Sequence, residues 1–207
     1  MIVVPYAMRS LDEILGVVVG LLLAITIHGE ARAFFGLLIQ KPSASREKIP
    51  FRFNPLAYLD VRAVPVLILA GWGWTRPPRL SHEDLKGHWS YPLLAHLAGA
   101  LGNLVLAGVV STIHDLLFPS AIFKICIAVN IQFAVANFLI PLPPLAVGRA
   151  LASLLPGWDA REKAIDWAGA VALTGLVIWE VAARKEMLAG WVAHMSAWIY
   201  GLLMGAA

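Results

Sequence analysis

A series of long apolar runs constrains this fold more than any other feature of the sequence. A helix needs about 20 apolar residues to cross the hydrocarbon core of a bilayer. Five runs meet this length, at residues 14–39, 91–118, 121–142, 164–183 and 187–207. Hydrophobic residues make up 59% of the chain and charged residues only 14%, whereas a soluble domain carries about 25% charge. The sequence therefore predicts an all-α integral membrane protein.

A sixth apolar run, residues 63–74, is too short for a comfortable span. If it does not cross the membrane, the connecting segments place eleven basic residues on one side and four on the other; if it crosses, the split is eight to seven. Because positive charge concentrates on the cytoplasmic side, the first arrangement is favoured. We expect five transmembrane helices and one re-entrant or half-spanning segment.

Net charge, motifs and cysteine content indicate where the protein is located and which kinds of partner it binds. The formal charge is +3, and the basic residues lie mostly beside the apolar runs, as membrane-flanking charge does. No nucleic-acid motif is present, and a lone cysteine, Cys126, excludes an intrachain disulfide. We expect one domain, residues 1–207, in the lipid bilayer of a bacterial inner membrane. Residues 14–155 would form its core, and residues 164–207 would add two helices.

Four stretches carry a resemblance to a known family. They read LLLAITIHGEARAFFG, FRFNPLAYLD, AGWGWTRPPRL followed by LLAHLAGALGNLVLAGVV, and NFLIPLPPLAVGRAL. In this order and spacing they resemble the site-2 protease family, the intramembrane zinc metalloproteases of the M50 type. The first is similar to that family's HExxH helix, and the fourth to its NLLPIPPLDGGRIL stretch. The resemblance covers residues 16–151 and implies a site-2-protease-like core.

The same resemblance implies that most of the family's zinc site is absent. His28 matches the first histidine of HExxH, but Gly29 stands at the glutamate and Arg32 at the second histidine. Ala146 stands at the aspartate that provides the third ligand, and Asn137 matches an asparagine of the family's substrate-gating motif. Catalytic zinc takes about three protein ligands, and an arginine cannot be one of them because it stays protonated.

Ligand counting therefore predicts that the chain is not an enzyme. On this interpretation it is a pseudoprotease that binds no zinc or other cofactor. It would serve as an accessory subunit or assembly factor of a larger membrane complex, such as a respiratory or photosynthetic one. Two alternatives remain open. One is an active intramembrane zinc metalloprotease with substituted ligands. The other is a haem-binding membrane protein that uses the histidines His28, His96 and His194.

Several polar and aromatic residues are candidates for contact with neighbouring helices or with other integral membrane subunits. An ionisable residue within lipid needs a partner, which applies to Glu30 and Arg32. Asn103 is expected to form interhelical hydrogen bonds. Trp191 and Trp198 lie seven residues apart on the last helix and either belong to an interfacial aromatic belt or contact a partner. The polar stretch SHEDLKGH, residues 81–88, is predicted to be an exposed loop that starts a helix.

Overall fold

The computed structural model of the protein describes residues 5–8, 10–39, 51–76 and 88–205. Eight α-helices lie in these segments: α1 Leu11–Ile39, α2 Pro55–Tyr58, α3 Val64–Ala70, α4 Ser90–Leu116, α5 Ala121–Leu139, α6 Ala146–Ala152, α7 Trp158–Ala183 and α8 Leu188–Leu203. The described residues contain no strand, and their one β-bridge pairs Leu59 with Thr75. The predicted loop at residues 81–88 lies outside the described residues, except for His88.

The described part of the chain is helical and membrane-spanning, as predicted, but the number of full spans differs. Four helices are long and apolar enough to cross a membrane: α1, α4, α5 and residues 160–183 of α7. The predicted fifth span is not confirmed, because α8 has only 16 residues and falls short of the length needed. Residues 63–74 contain only the short helix α3, which agrees with a segment that does not span fully.

Local sequence explains where two long helices begin and where the short helix α3 ends. Ser10 and Glu13 form a capping box at the start of α1, in which each side chain accepts a hydrogen bond from the backbone N–H of the other, at 3.2 and 3.1 Å. Ser120 caps α5 by accepting from the backbone N–H of Ile122 at 3.2 Å. Gly71 ends α3 in the left-handed conformation, with φ 73°.

The core lies where α1, α4 and α5 pack against one another. Every residue of α5 from 125 to 137 is buried, so this helix is enclosed on all sides. The helix α8 packs against α5, and α7 packs against α3. Lipid-facing residues such as Leu15, Val18 and Leu22 leave the outer side of α1 exposed. This arrangement places His28 and Arg32 of α1, which face α4 and α5, inside the protein.

Candidate active site

Residues 28–32 of α1, here called the polar turn, lie inside an otherwise apolar span. His28 is 1% exposed and Arg32 2% exposed. They are four residues apart and so share one helical face. Glu30, two residues from His28, points elsewhere. The polar turn is helical throughout, because neither Pro nor a β-branched residue interrupts it. The helix therefore presents one histidine and one arginine together toward α4.

The His28 ring fits between α4 and α5. It lies against Gly99, where an added Cβ atom would be 2.5 Å from the ring, so only glycine leaves room for the imidazole. Phe133 of α5 meets the same ring edge-on, with 5.3 Å between the ring centroids. The Nδ1 atom of His28 has no hydrogen-bond partner among the described residues. A buried nitrogen without a partner is uncommon and marks a position where a ligand or water can bind.

An aromatic ring packs against Gly29, the residue at the position that the resemblance assigns to a glutamate. An added Cβ atom at Gly29 would lie 2.3 Å from Cγ of Tyr58 and 2.4 Å from its Cδ1. The Tyr58 ring therefore occupies the space that a side chain at position 29 would need. Burial, followed by the neighbouring carboxylate of Glu30, raises the pKa of Tyr58 to about 12. The phenol stays protonated at neutral pH and can act as a hydrogen-bond donor.

Arg32 faces α4. Its Nη2 donates to Nδ1 of His96 at 3.1 Å, while its Nε has no partner among the described residues. Nearby, the buried Arg149 of α6 forms an ion pair with Asp166 of α7, whose two carboxylate oxygens each lie 3.1 Å from Arg149 Nε. The Arg149 Nη1 also donates to the carbonyl of Thr75 at 3.3 Å. Asp166 thus has its own arginine, and Arg32 keeps donor capacity for another acceptor.

Glu30 has a partner within this chain. Its Oε1 accepts hydrogen bonds from the backbone N–H groups of Arg52 at 2.7 Å and Phe53 at 2.6 Å. These contacts hold residues 51–54, here called the clamped segment, against α1. Phe53 has φ 42°, a left-handed conformation that costs of order 1–3 kcal/mol for a residue other than glycine. The Glu30 carboxylate compensates for that strain.

An exposed aromatic patch, consisting of Phe34, Phe51 and Phe53, lies on the clamped segment and the adjoining part of α1. Phe51 lies 6.4 Å from Phe34 and 6.3 Å from Phe53, between ring centroids. Phe53 is 72% exposed, and the other two rings are about half exposed. The Glu30 carboxylate therefore joins two features: the buried polar turn and an exposed apolar surface beside it.

Asn137 and Ala146 hold the end of α5 to its neighbours. The Asn137 Oδ1 accepts from the backbone N–H of Ala146 at 3.1 Å, and its Nδ2 donates to the carbonyl of Gly73 at 2.7 Å. The amide thus joins α5, the start of α6 and the loop after α3. Ala146 is buried and has no ligating atom. Asn103 of α4 donates to the carbonyl of Ala24 at 3.2 Å, across the contact between α4 and α1.

An ion pair outside the spans connects the short helices to α7. Both carboxylate oxygens of Asp60 bind the Arg62 guanidinium, and Oδ2 also accepts from the Trp74 indole at 3.1 Å. The Arg62 guanidinium lies over the ring of Trp167, 5.0 Å from its centroid. Burial raises the pKa of Asp60, but the hydrogen bonds from Arg62 outweigh it and hold this pKa below its ordinary value.

Two groups of sequence candidates lie away from this site. Trp191 and Trp198 are exposed on α8, 47% and 62% respectively. His194 is exposed on the same helix. Three residues that the sequence reasoning missed, Tyr58, Arg149 and Asp166, belong to the site or its support. For the last two, the available signal was Asp166, a carboxylate inside the predicted apolar run 164–183 that needs a basic partner.

Zinc in the family's arrangement does not fit the described residues. Three histidine, cysteine or carboxylate side chains do not come together anywhere in the described ranges. His28 offers one nitrogen, Arg32 cannot ligate, and Ala146 has no donor. His82, Glu83 and Asp84 lie outside those ranges and do not enter this test. The site that can be described instead combines a histidine whose Nδ1 has no partner with an arginine whose Nε has none, one helical turn apart.

Comparison with known proteins gives one functional indication. The described site and spans define a helical membrane protein with a buried polar site. The chain is 27% identical over 152 residues to the "Putative zinc metalloprotease YwhC" of Bacillus subtilis (strain 168), covering 67% of this chain and 68% of that protein. The chain matches no protein-family model. It also matches no solved structure.

The similarity to this relative contradicts one prediction and supports two others only in part. The prediction that the chain is not an enzyme is wrong, because the relative's name is that of a protease and points to enzyme activity. The same name is consistent with the M50-type resemblance, but it does not establish that the site is degenerate. It suggests zinc, whereas the described residues provide no group of metal ligands, so no cofactor is established.

Proposed function

We propose that this protein is an intramembrane peptidase that acts on transmembrane segments of other membrane proteins, using His28 and Arg32 in its chemistry. The similarity to a protein named as a metalloprotease supports the reaction class. Four helices of spanning length support a site within the membrane. The observation that carries the proposal is the pair of buried, unpartnered nitrogens on one face of α1, His28 Nδ1 and Arg32 Nε.

The two side chains suit the two demands of peptide hydrolysis. In the proposed step, the oxygen of a water molecule attacks the peptide carbonyl while His28 accepts the proton of that water. Negative charge develops on the carbonyl oxygen, and the Arg32 guanidinium stabilises it, as preorganised donors in a low-dielectric site do. The C–N bond then breaks, and His28 returns the proton to the leaving amine. These proposed steps use only the side chains of His28 and Arg32.

In this proposal a peptide approaches the polar turn beside the clamped segment. His28 and Arg32 are buried, so a peptide reaches them only if a covering element moves. The clamped segment is held to α1 by a single carboxylate oxygen of Glu30, and it is adjacent to the Tyr58 ring over Gly29. The exposed aromatic patch on this segment offers an apolar transmembrane segment its first contact.

Site-specific crosslinking combined with mass spectrometry tests this proposal. The purified protein, carrying a photoreactive residue in place of Phe53, is reconstituted into vesicles with defined single-span peptides. A matched control carries the same group in place of Val105, which is 67% exposed on α4. We expect peptide crosslinks from position 53 and not from position 105, together with cleavage products. Equal crosslinking from both positions would refute docking at the aromatic patch.

The cleavage products separate this proposal from the other functions that the sequence predicts. A subunit or assembly factor of a larger membrane complex would share the binding step and yield no products, and that outcome would overturn the peptidase proposal. Partnership with other integral membrane subunits, the bacterial inner membrane, and the division into core and C-terminal helices stay predictions. Haem binding by His28 and His96 is tested on the same sample by its absorbance spectrum.

A further inference from the structure

A cavity of about 430 Å³ lies away from the polar turn, where residues of α3, α5, α7 and α8 meet. Leu69, Val177 and Ala193 contribute to its apolar walls. Its volume is within the range of about 300–1,000 Å³ that is typical of small-molecule sites. Residues of the turn between α7 and α8 line it as well, among them Arg184 and Lys185. The cavity is therefore apolar along its walls and lined by charged side chains at one end.

The charged side chains at this end of the cavity differ in whether they have a partner. Glu180 is buried, and its two carboxylate oxygens accept hydrogen bonds from the backbone N–H groups of Leu188 at 2.5 Å and Ala189 at 3.0 Å. Its negative charge therefore lies at the N-terminus of α8, where it interacts favourably with the helix dipole. Arg184 and Lys185 are exposed, and neither side chain has an ion-pair partner among the described residues. Glu186 also lines the cavity, so the three exposed side chains carry a net charge of +1, and the buried Glu180 brings the formal sum of the four to zero.

The backbone fixes the position of the two cations. Arg184 ends α7 in a left-handed conformation with φ 51°. Its N–H donates to the carbonyl of Val181, and the N–H of Lys185 donates to the carbonyl of Glu180 at 2.9 Å. Because α7 is of spanning length, its end lies near the lipid headgroups. Arginine and lysine side chains close to the membrane surface attract anionic headgroups.

We infer that this cavity binds an anionic phospholipid, with one acyl chain between α3, α7 and α8 and the phosphate on Arg184 and Lys185. The apolar walls match an acyl chain, and the guanidinium and ammonium groups match a phosphate. The surrounding bilayer supplies this ligand at high concentration. The inference is independent of the proposed peptidase activity, because the cavity contains none of the residues of the polar turn.

Native mass spectrometry in detergent tests this inference with phosphatidylglycerol as the probe. We expect one retained phosphatidylglycerol per chain. The double variant Arg184→Gln/Lys185→Gln should weaken its binding by about tenfold or more, since each basic residue contributes to anionic-lipid affinity. The matched control is Arg161→Gln/Lys163→Gln, which removes the same charge from exposed positions near the other end of α7. This control should bind as the wild type does.

A second variant, Ala193→Phe, fills the cavity and should also reduce binding. If it fails to fold, the surface variants still decide, because Arg184 and Lys185 are exposed. Equal losses in the two double variants would indicate unspecific surface charge and overturn the inference. Equal retention of palmitate would assign the site to a fatty acid, and equal retention of phosphatidylcholine would remove the role of the cations; either result would overturn it.

Discussion

A methyl group at Gly29 directly tests the packing of the candidate site. In Gly29→Ala, the new Cβ atom would lie 2.3 Å from Cγ of Tyr58, whereas carbon atoms in contact are about 3.5–4.0 Å apart. The ring would have to move by more than about 1 Å. Overpacking of this kind costs about 1–3 kcal/mol, and the better helix propensity of alanine returns at most about 1 kcal/mol. We therefore expect a net destabilisation of about 1–2 kcal/mol.

Thermal unfolding in one detergent, followed by tryptophan fluorescence, measures this effect. The matched control is Gly108→Ala in α4, where an added Cβ atom meets no heavy atom within 4 Å. This control should be neutral or slightly stabilising. Removing the ring in Gly29→Ala/Tyr58→Ala should cost less than the sum of the two single changes, since they share one contact. If Gly29→Ala is as stable as the control, or if the two changes are additive, the reasoning is refuted.

Three further predictions concern the surroundings of the site. Glu30→Ala removes two charge-assisted hydrogen bonds worth about 1.5–3 kcal/mol each, so amide exchange at Arg52 should accelerate by about tenfold or more; an unchanged rate would contradict the clamp. Arg149→Met should destabilise the protein by about 3–5 kcal/mol, because it leaves the buried Asp166 unpaired, and Arg149→Met/Asp166→Leu should recover most of this loss of unfolding free energy. Because the folded state lowers the pKa of Asp60, its stabilising contribution is present above the unfolded pKa of about 3.9 and is lost as pH falls through the lower folded value. Unfolding midpoints measured across this range should therefore fall less in Asp60→Asn than in wild type.

The spans were predictable because a bilayer imposes one requirement on every crossing helix. Apolar length alone located α1, α4, α5 and the apolar part of α7. It failed for α8, because this helix ends at Leu203 and the chain turns at Met204 and Gly205, where Gly205 has φ 63°. The apolar composition continues to residue 207, so hydropathy gives no warning that the helix ends at Leu203.

The partners of the charged residues were not predictable from spacing. Glu30 binds backbone groups 22 and 23 residues away, and Arg32 binds His96, 64 residues away. Local patterns carry no information about such pairs. The sequence led us to expect that Glu30 needs another helix or subunit, whereas a loop of the same chain satisfies one of its oxygens.

The substitution at position 29 also has a different meaning in the structure. The sequence shows only a glycine at this position, while the structure places the Tyr58 ring against it. Counting zinc ligands led to the prediction that the chain is not an enzyme, because it did not consider what His28 and Arg32 can do without those ligands. His28 and Arg32 keep unpartnered nitrogens, and the relative's name points to enzyme activity.

The dependence of cleavage on His28 tests the central claim most directly. Wild type, His28→Gln and the matched control His194→Gln, which changes an exposed histidine of α8, are reconstituted with the same single-span peptide. Product formation is measured by mass spectrometry with and without a zinc chelator. The account predicts cleavage by wild type and control that the chelator leaves unchanged, and a loss of about 10²-fold or more in His28→Gln. Absence of cleavage in wild type, equal rates in all three proteins, or inhibition by the chelator would contradict it.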